Sequence, residues 1–111
     1  MSQGKSKTRQ NSGTNGRRRD EAKAAVEQLQ RTIRDGLLHA VFQPIVDLSR
    51  GEIAGLETLT RPDPHSGYAN AETLFTAGEN TGLMWELEEA SRRAAIDAAR
   101  SWPPDRQLFL N

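Results

Sequence analysis

The sequence contains no cysteine, which removes disulfides and thiolate metal centres together. A cytoplasmic location is the expectation that fits this absence. Aromatic residues make up 5% of the 111 residues, too few for the aromatic-interleaved basic surface on which nucleic acid stacks. No apolar run approaches the ~20 residues that span a bilayer, so no membrane segment is expected. Residues 1–19 lack the apolar stretch of a secretory signal. The same residues lack acids entirely while holding Lys5, Lys7, Arg9, Arg17, Arg18 and Arg19. Because the whole chain is neutral, the nine remaining basic residues face fifteen acids, a balance of −6.

After Met1, residues 1–16 offer nothing large and apolar to bury, so ordering them has no compensating gain. A disordered basic tail over 1–19 is expected, solvated and not bound to nucleic acid or lipid. From Asp20 the pattern turns helical. Ala22, Val26, Leu29, Ile33 and Leu37 fall at intervals of four, three, four and four, one face of a lead-in helix over 20–38. Asp20 has the chemistry of an N-cap, and Gly36 marks the helix end.

The chain is organised around His39 to Arg61, HAVFQPIVDLSRGEIAGLETLTR. Val41, Ile45, Val46 and Leu48 form one apolar run, and Ile53, Ala54, Leu56 and Leu59 a second. Between them Ser49, Arg50 and Gly51 supply a turn, the signature of a β-hairpin. Within the second run stands Glu57. A carboxylate in an apolar strand must be compensated, because burying an unpaired charge is too costly. An ion pair with Arg61, a place at the water-facing rim, or a bound hard cation each satisfies that demand.

These residues also carry a family resemblance. FQPIVDL followed by G-E-I-x-G-x-E-x-L-x-R resembles the opening of an EAL domain, a bacterial family that hydrolyses cyclic diguanylate. Glu57, Thr58 and Leu59 stand where the family has its Glu-Ala-Leu signature, with Thr58 in place of the alanine. The resemblance implies that Glu57 is a ligand of Mg²⁺ or Mn²⁺ and that Arg61 holds a substrate phosphate. It gives Gln43 and Leu59 lesser roles against the nucleotide.

After the hairpin, Arg61 to Gly67 reads as a loop. Many family members have a tryptophan and a His-Pro pair there, whereas this chain has Pro62 and Pro64-His65. His65 is expected to be a solvent-exposed loop residue, and His39 carries no functional expectation. Residues 71–80 read as a short helix capped by Asn70, with Leu74, Phe75 and Ala77 inward and a break at Thr81-Gly82. Phe75, Glu79 and Gly82 echo a family run, Glu79 being read as a helix-end charge.

Residues 83–101 form the longest predicted helix, with Met84, Leu87, Ala94, Ala95, Ala98 and Trp102 on its apolar side. Glu88–Arg92 and Glu89–Arg93 are expected i,i+4 pairs on a solvated face. Pro103 and Pro104 stop the helix. Gln107 to Asn111 then begins a strand, and Asn111 matches the family asparagine that joins the signature glutamate on the metal.

The expected architecture is α/β: a disordered tail, a lead-in helix, then over 39–111 the N-terminal part of a modified TIM-type barrel with an antiparallel first strand. The remaining ligands of such a barrel lie beyond Asn111. The chain is therefore expected to be the opening of an EAL phosphodiesterase, cut short and inactive alone. The alternative is a degenerate binding or interaction module. Cyclic diguanylate, a second copy and an upstream sensory domain are the expected partners.

Overall fold

The computed structural model describes residues 2–100 and 107–109, with side chains described for 15–100. A long helix, α1 (Ser2–Arg34), leads into a hairpin of β1 (Leu38–Asp47) and β2 (Glu52–Pro62). A single 3₁₀ turn at Pro64–Ser66 follows, then α2 (Ala71–Thr81), α3 (Met84–Ala99) and a short strand, β3 (Gln107–Phe109). The sheet order is β1-β2-β3. β1 runs antiparallel to β2, and β3 runs parallel to it.

The hairpin forms where the sequence places it. Asp47 pairs with Glu52, and the intervening turn is closed by the Gly51 N–H donating to the Asp47 carbonyl at 2.8 Å. Gly51 has φ +65°, the left-handed region that glycine enters without a Cβ penalty. The Asp47 carboxylate fixes the turn further by accepting from the Ser49 hydroxyl at 2.6 Å and from the Ser49 N–H at 3.0 Å. Those bonds, the hydroxyl's first, lower the Asp47 pKa.

The helices gather on one side of the sheet. Leu29 of α1, Leu38 of β1, Leu74 of α2 and Leu87 of α3 form one buried cluster, with Ile33, Phe75, Met84 and Ala94 packed around it. Each such leucine contributes about 1.5–3 kcal/mol relative to exposure. α2 is held at its start by a reciprocal box: the Thr73 N–H donates to Asn70 Oδ1 at 2.8 Å, and the Asn70 N–H to Thr73 Oγ1 at 3.2 Å. At its end Gly82, φ +74°, turns the chain into α3. Gly78 is buried against Leu87 and Met84; a Cβ there would sit 2.9 Å from a Leu87 methyl, so the glycine sets how closely α3 approaches.

Two expectations change. α1 runs from Ser2 to Arg34, so Asp20 lies inside the helix instead of capping it. The apolar face does its packing only from Val26 onward: residues 17–25 are all exposed, Ala22 included, while Leu29 is fully buried. On α3, Arg93 pairs with Glu89 at 2.7 Å as expected, whereas Arg92 lies over the Trp85 ring at 5.8 Å instead of pairing with Glu88. Trp102, Pro103 and Pro104 lie outside the described residues.

α1 is therefore expected to have two stabilities. In native-state hydrogen exchange, amides of 29–34 will be protected and those of 17–25 will exchange at least tenfold faster, as a helix without tertiary contacts opens readily. Uniform protection along 17–34 would contradict this.

Candidate active-site face

Strand side chains alternate between faces, and residues paired across a ladder share one. The β1–β2 register pairs Gln43 with Glu57, Val41 with Leu59 and His39 with Arg61. Gln43, Glu57, Leu59 and Arg61 thus share a face. The opposite face carries Leu38, Leu56 and Thr58, each 8% exposed or less, against the helices. The site face is open: Gln43 and Arg61 are exposed, Glu57 and Leu59 half-buried, and Val41 and Ile45 about 40% exposed. Thr58, the departure from the signature, is 6% exposed on the far side from Glu57. Its change of side chain is therefore a packing matter.

Direction matters as well as face. The β2 chain passes Glu57, Leu59 and Arg61 on its way to its C-terminal end, and β3 ends in the same direction. Glu57 is in register with Phe109. Asn111 lies two positions further along the chain, outside the described residues.

At the C-terminal end of β2 the structure assembles a cluster that sequence reasoning passed over. Asp63 accepts from the His65 N–H at 2.7 Å and from His65 Nδ1 at 2.9 Å with one carboxylate oxygen. Its other oxygen accepts from His39 Nε2 at 2.7 Å. Asp63 is the N-cap of the 3₁₀ turn, followed by Pro64 at its first position. Its own N–H donates to the Leu37 carbonyl at 2.9 Å, closing the loop against the start of β1. The backbone donor of His65 first, then the His39 and His65 rings, hold its pKa down to about 2 from 3.8. His65 is exposed as expected, yet it has a fixed partner. The available signal was the Asp-Pro-His order, an N-cap followed by the residue that its carboxylate would meet.

Arg61 stands next to this cluster. Its side chain is exposed, with Nη1 donating to the Thr60 carbonyl at 3.3 Å. On the helix side it borders a cavity of about 310 Å³ shared with Phe75, Glu88, Ser91 and Arg92. Glu72 of α2 flanks it in a neighbouring hollow.

A divalent hard cation takes six or more oxygens for Ca²⁺ and six for Mg²⁺. Among the described residues no group of three or more His, Asp or Glu side chains is disposed to hold a metal ion. Glu57 offers a carboxylate on the open face, but the described donors alone do not make the site. Nor is any described helix long and apolar enough to cross a membrane.

The Asp63 clasp makes a testable contribution to stability. With its folded pKa depressed, the contribution is complete above the unfolded value of 3.8 and is lost as pH falls through about 2. Asp63→Asn should lower the urea midpoint at pH 7, and its difference from wild type should shrink steadily from pH 4 to pH 2. A difference independent of pH would assign the loss to packing instead of charge.

Comparison with known proteins adds to this geometry. The EAL domain family model matches residues 26–111. Over 84 residues the chain is 34% identical to the uncharacterized protein y4lL of Sinorhizobium fredii, covering 75% of this chain and 10% of that protein. Over 65 residues it is 32% identical to the probable cyclic di-GMP phosphodiesterase PdeG of Escherichia coli, covering 58% of this chain and 13% of that one. The chain thus spans about an eighth or less of these relatives' lengths. With the family model matched over most of its length and the signature glutamate on an open strand face, the chain belongs to the EAL domain family.

Proposed function

We propose that the open β1–β2 face is the nucleotide-facing surface of an EAL-type phosphodiesterase acting on cyclic diguanylate. The observation that carries the reading is the shared strand face: Gln43, Glu57, Leu59 and Arg61 alternate with the buried Leu56 and Thr58, toward the C-terminal end of β2. In barrels of this class chemistry gathers at that end of the strands. The antiparallel β1, the parallel β3 and the helices on one side support the opening of a modified (β/α) barrel over 39–111, with α1 as its lead-in.

Each residue then has a task. Arg61 holds a phosphodiester oxygen through its forked donors, the arrangement in which guanidinium outperforms ammonium. The Leu59 side chain gives an apolar seat for a base, and the Gln43 amide, paired with Glu57 across the ladder, supplies a polar contact. Glu57 and Asn111 are oxygen ligands for Mg²⁺ or Mn²⁺. Such a cation, when bound, activates water and neutralises phosphate charge. Among the described residues no group of three or more imidazole or carboxylate side chains is disposed to hold a metal, so this chain is expected to bind the dinucleotide without turning it over. A cytoplasmic setting follows for a second-messenger site, and α1 suits a connection to a sensory domain.

Calorimetric titration of the chain with cyclic diguanylate and Mn²⁺ tests this. Binding is expected, weakened about tenfold or more in Arg61→Ala, as befits a charge-assisted bond of roughly 1.5–3 kcal/mol. Chromatography of the same mixture should show intact dinucleotide. Equal affinity of wild type and Arg61→Ala would remove the reading of the face, and turnover would overturn the expected inactivity.

A further inference from the structure

α3 carries large apolar side chains that its own fold leaves uncovered. Leu87 and Ala95 are buried and Ala90 and Ala94 half-buried, which fixes the inward side of the helix. On the outward side Trp85 is 68% exposed and Ile96 52%. At about 100° per residue, Trp85, Arg92 and Ile96 fall within about 40° of one another and form a ridge about 16 Å long.

Hollows flank this ridge on both sides. Toward α1 and β1 lies one of about 440 Å³, with Glu89 and Arg93 on its α3 wall. Toward β2 lies the cavity of about 310 Å³ that Glu88 and Arg92 border. Charged groups are already drawn onto the ridge. Arg92 lies over the Trp85 ring, 5.8 Å from its centroid, and Arg93 donates to Glu89 Oε1 at 2.7 Å.

The order of residues along the ridge is self-complementary. Two copies of α3 can cross antiparallel about a two-fold axis level with the Ala90–Ser91 bond. Trp85 then stands opposite the partner's Ile96, Arg92 opposite the partner's Glu89, and Arg93 opposite the partner's Glu88. By symmetry each contact is made twice. A parallel crossing would instead set Arg92 on Arg92 and Glu89 on Glu89, and like charges brought together repel.

We propose that the outward ridge of α3 is a homodimer contact, in which two copies of the helix pair antiparallel. Trp85 and Ile96 supply the apolar burial, and the Arg92–Glu89 and Arg93–Glu88 pairs fix direction and register. Tryptophan and arginine are the side chains that most often anchor such contacts. One helix pair covers less than the ~1,200 Å² of a stable interface, so the dimer is weak and forms at high concentration. No residue of the β2 site face takes part, so the contact stands apart from the nucleotide reading.

Sedimentation equilibrium of the full chain at low salt, from micromolar to millimolar concentration, should show a reversible monomer–dimer equilibrium. In the same range, NMR shifts that depend on concentration should appear at the Trp85 indole and the Ile96 methyl groups. Trp85→Ser should weaken association about tenfold or more. Arg92→Glu and Glu89→Arg should each weaken it about fivefold or more, because each turns two attractive contacts into repulsive ones. All three positions lie on the outward side of α3, so circular dichroism should show unchanged helix content. An equimolar mixture of the Arg92→Glu and Glu89→Arg chains should recover association, since each reversed side chain then meets its opposite on the other chain. A chain that stays monomeric at millimolar concentration overturns the inference. So does a dimer indifferent to these substitutions, with its NMR shifts on β1, which would place the contact at the strand edge. A mixture that associates no better than its components would exclude the antiparallel pairing.

Discussion

The register between β1 and β2 is the constraint on which the rest depends. Pairing Gln43 with Glu57 sends Glu57, Leu59 and Arg61 to one side and Leu56 and Thr58 to the other. Because the strand period is two, a slip of one residue would bury the charges under the helices and expose the core leucine. Two features oppose that slip. Glu57 resists burial among apolar side chains, and Leu38 and Leu56 gain from being covered. The ladder is regular from Leu38 to Ile45 and breaks register only between Ile45 and Val46, near the turn and away from Arg61. The irregularity is thus confined to the end of the hairpin without site residues.

The helices secure this arrangement from one side. Leu29, Leu74 and Leu87 converge on Leu38, so three helices and the first strand share one buried cluster. Gln28 adds a polar tie, its Nε2 donating to the Ser66 carbonyl at 3.0 Å. That bond fixes the 3₁₀ turn beyond Asp63 to α1. The loop carrying the aspartate and both histidine contacts is therefore fastened at each end, by Gln28 on one side and by the Asp63–Leu37 backbone bond on the other. The loop is thus well braced.

Much of this was legible in the sequence. The hairpin follows from two β-branched runs around a glycine turn, and α2 from Asn70 and the inward Leu74 and Phe75. The family signature follows from Glu57 and Leu59 in their context. Three things were hidden. The Asp63 clasp joins residues 24 positions apart in sequence, and only the closed ladder brings His39 to Asp63. Gly78 drew no reading from the sequence, whereas it is a contact that lets α3 close on α2. The helix N-terminal to Val26 is exposed over 17–25, so hydrophobic periodicity does not announce it. Trp85 and Ile96, both more than half exposed, also depart from the usual burial of such residues on α3.

The central claim is that ligand recognition belongs to the helix-free face of β2. Methyl-resolved NMR of the chain during titration with cyclic diguanylate tests it directly. Shifts are predicted for Leu59, Val41 and Ile45, with little change in Leu38, Leu56, Leu74 and Leu87. Shifts confined to the buried leucines, or to the exposed side of α3, would contradict the account and place recognition elsewhere.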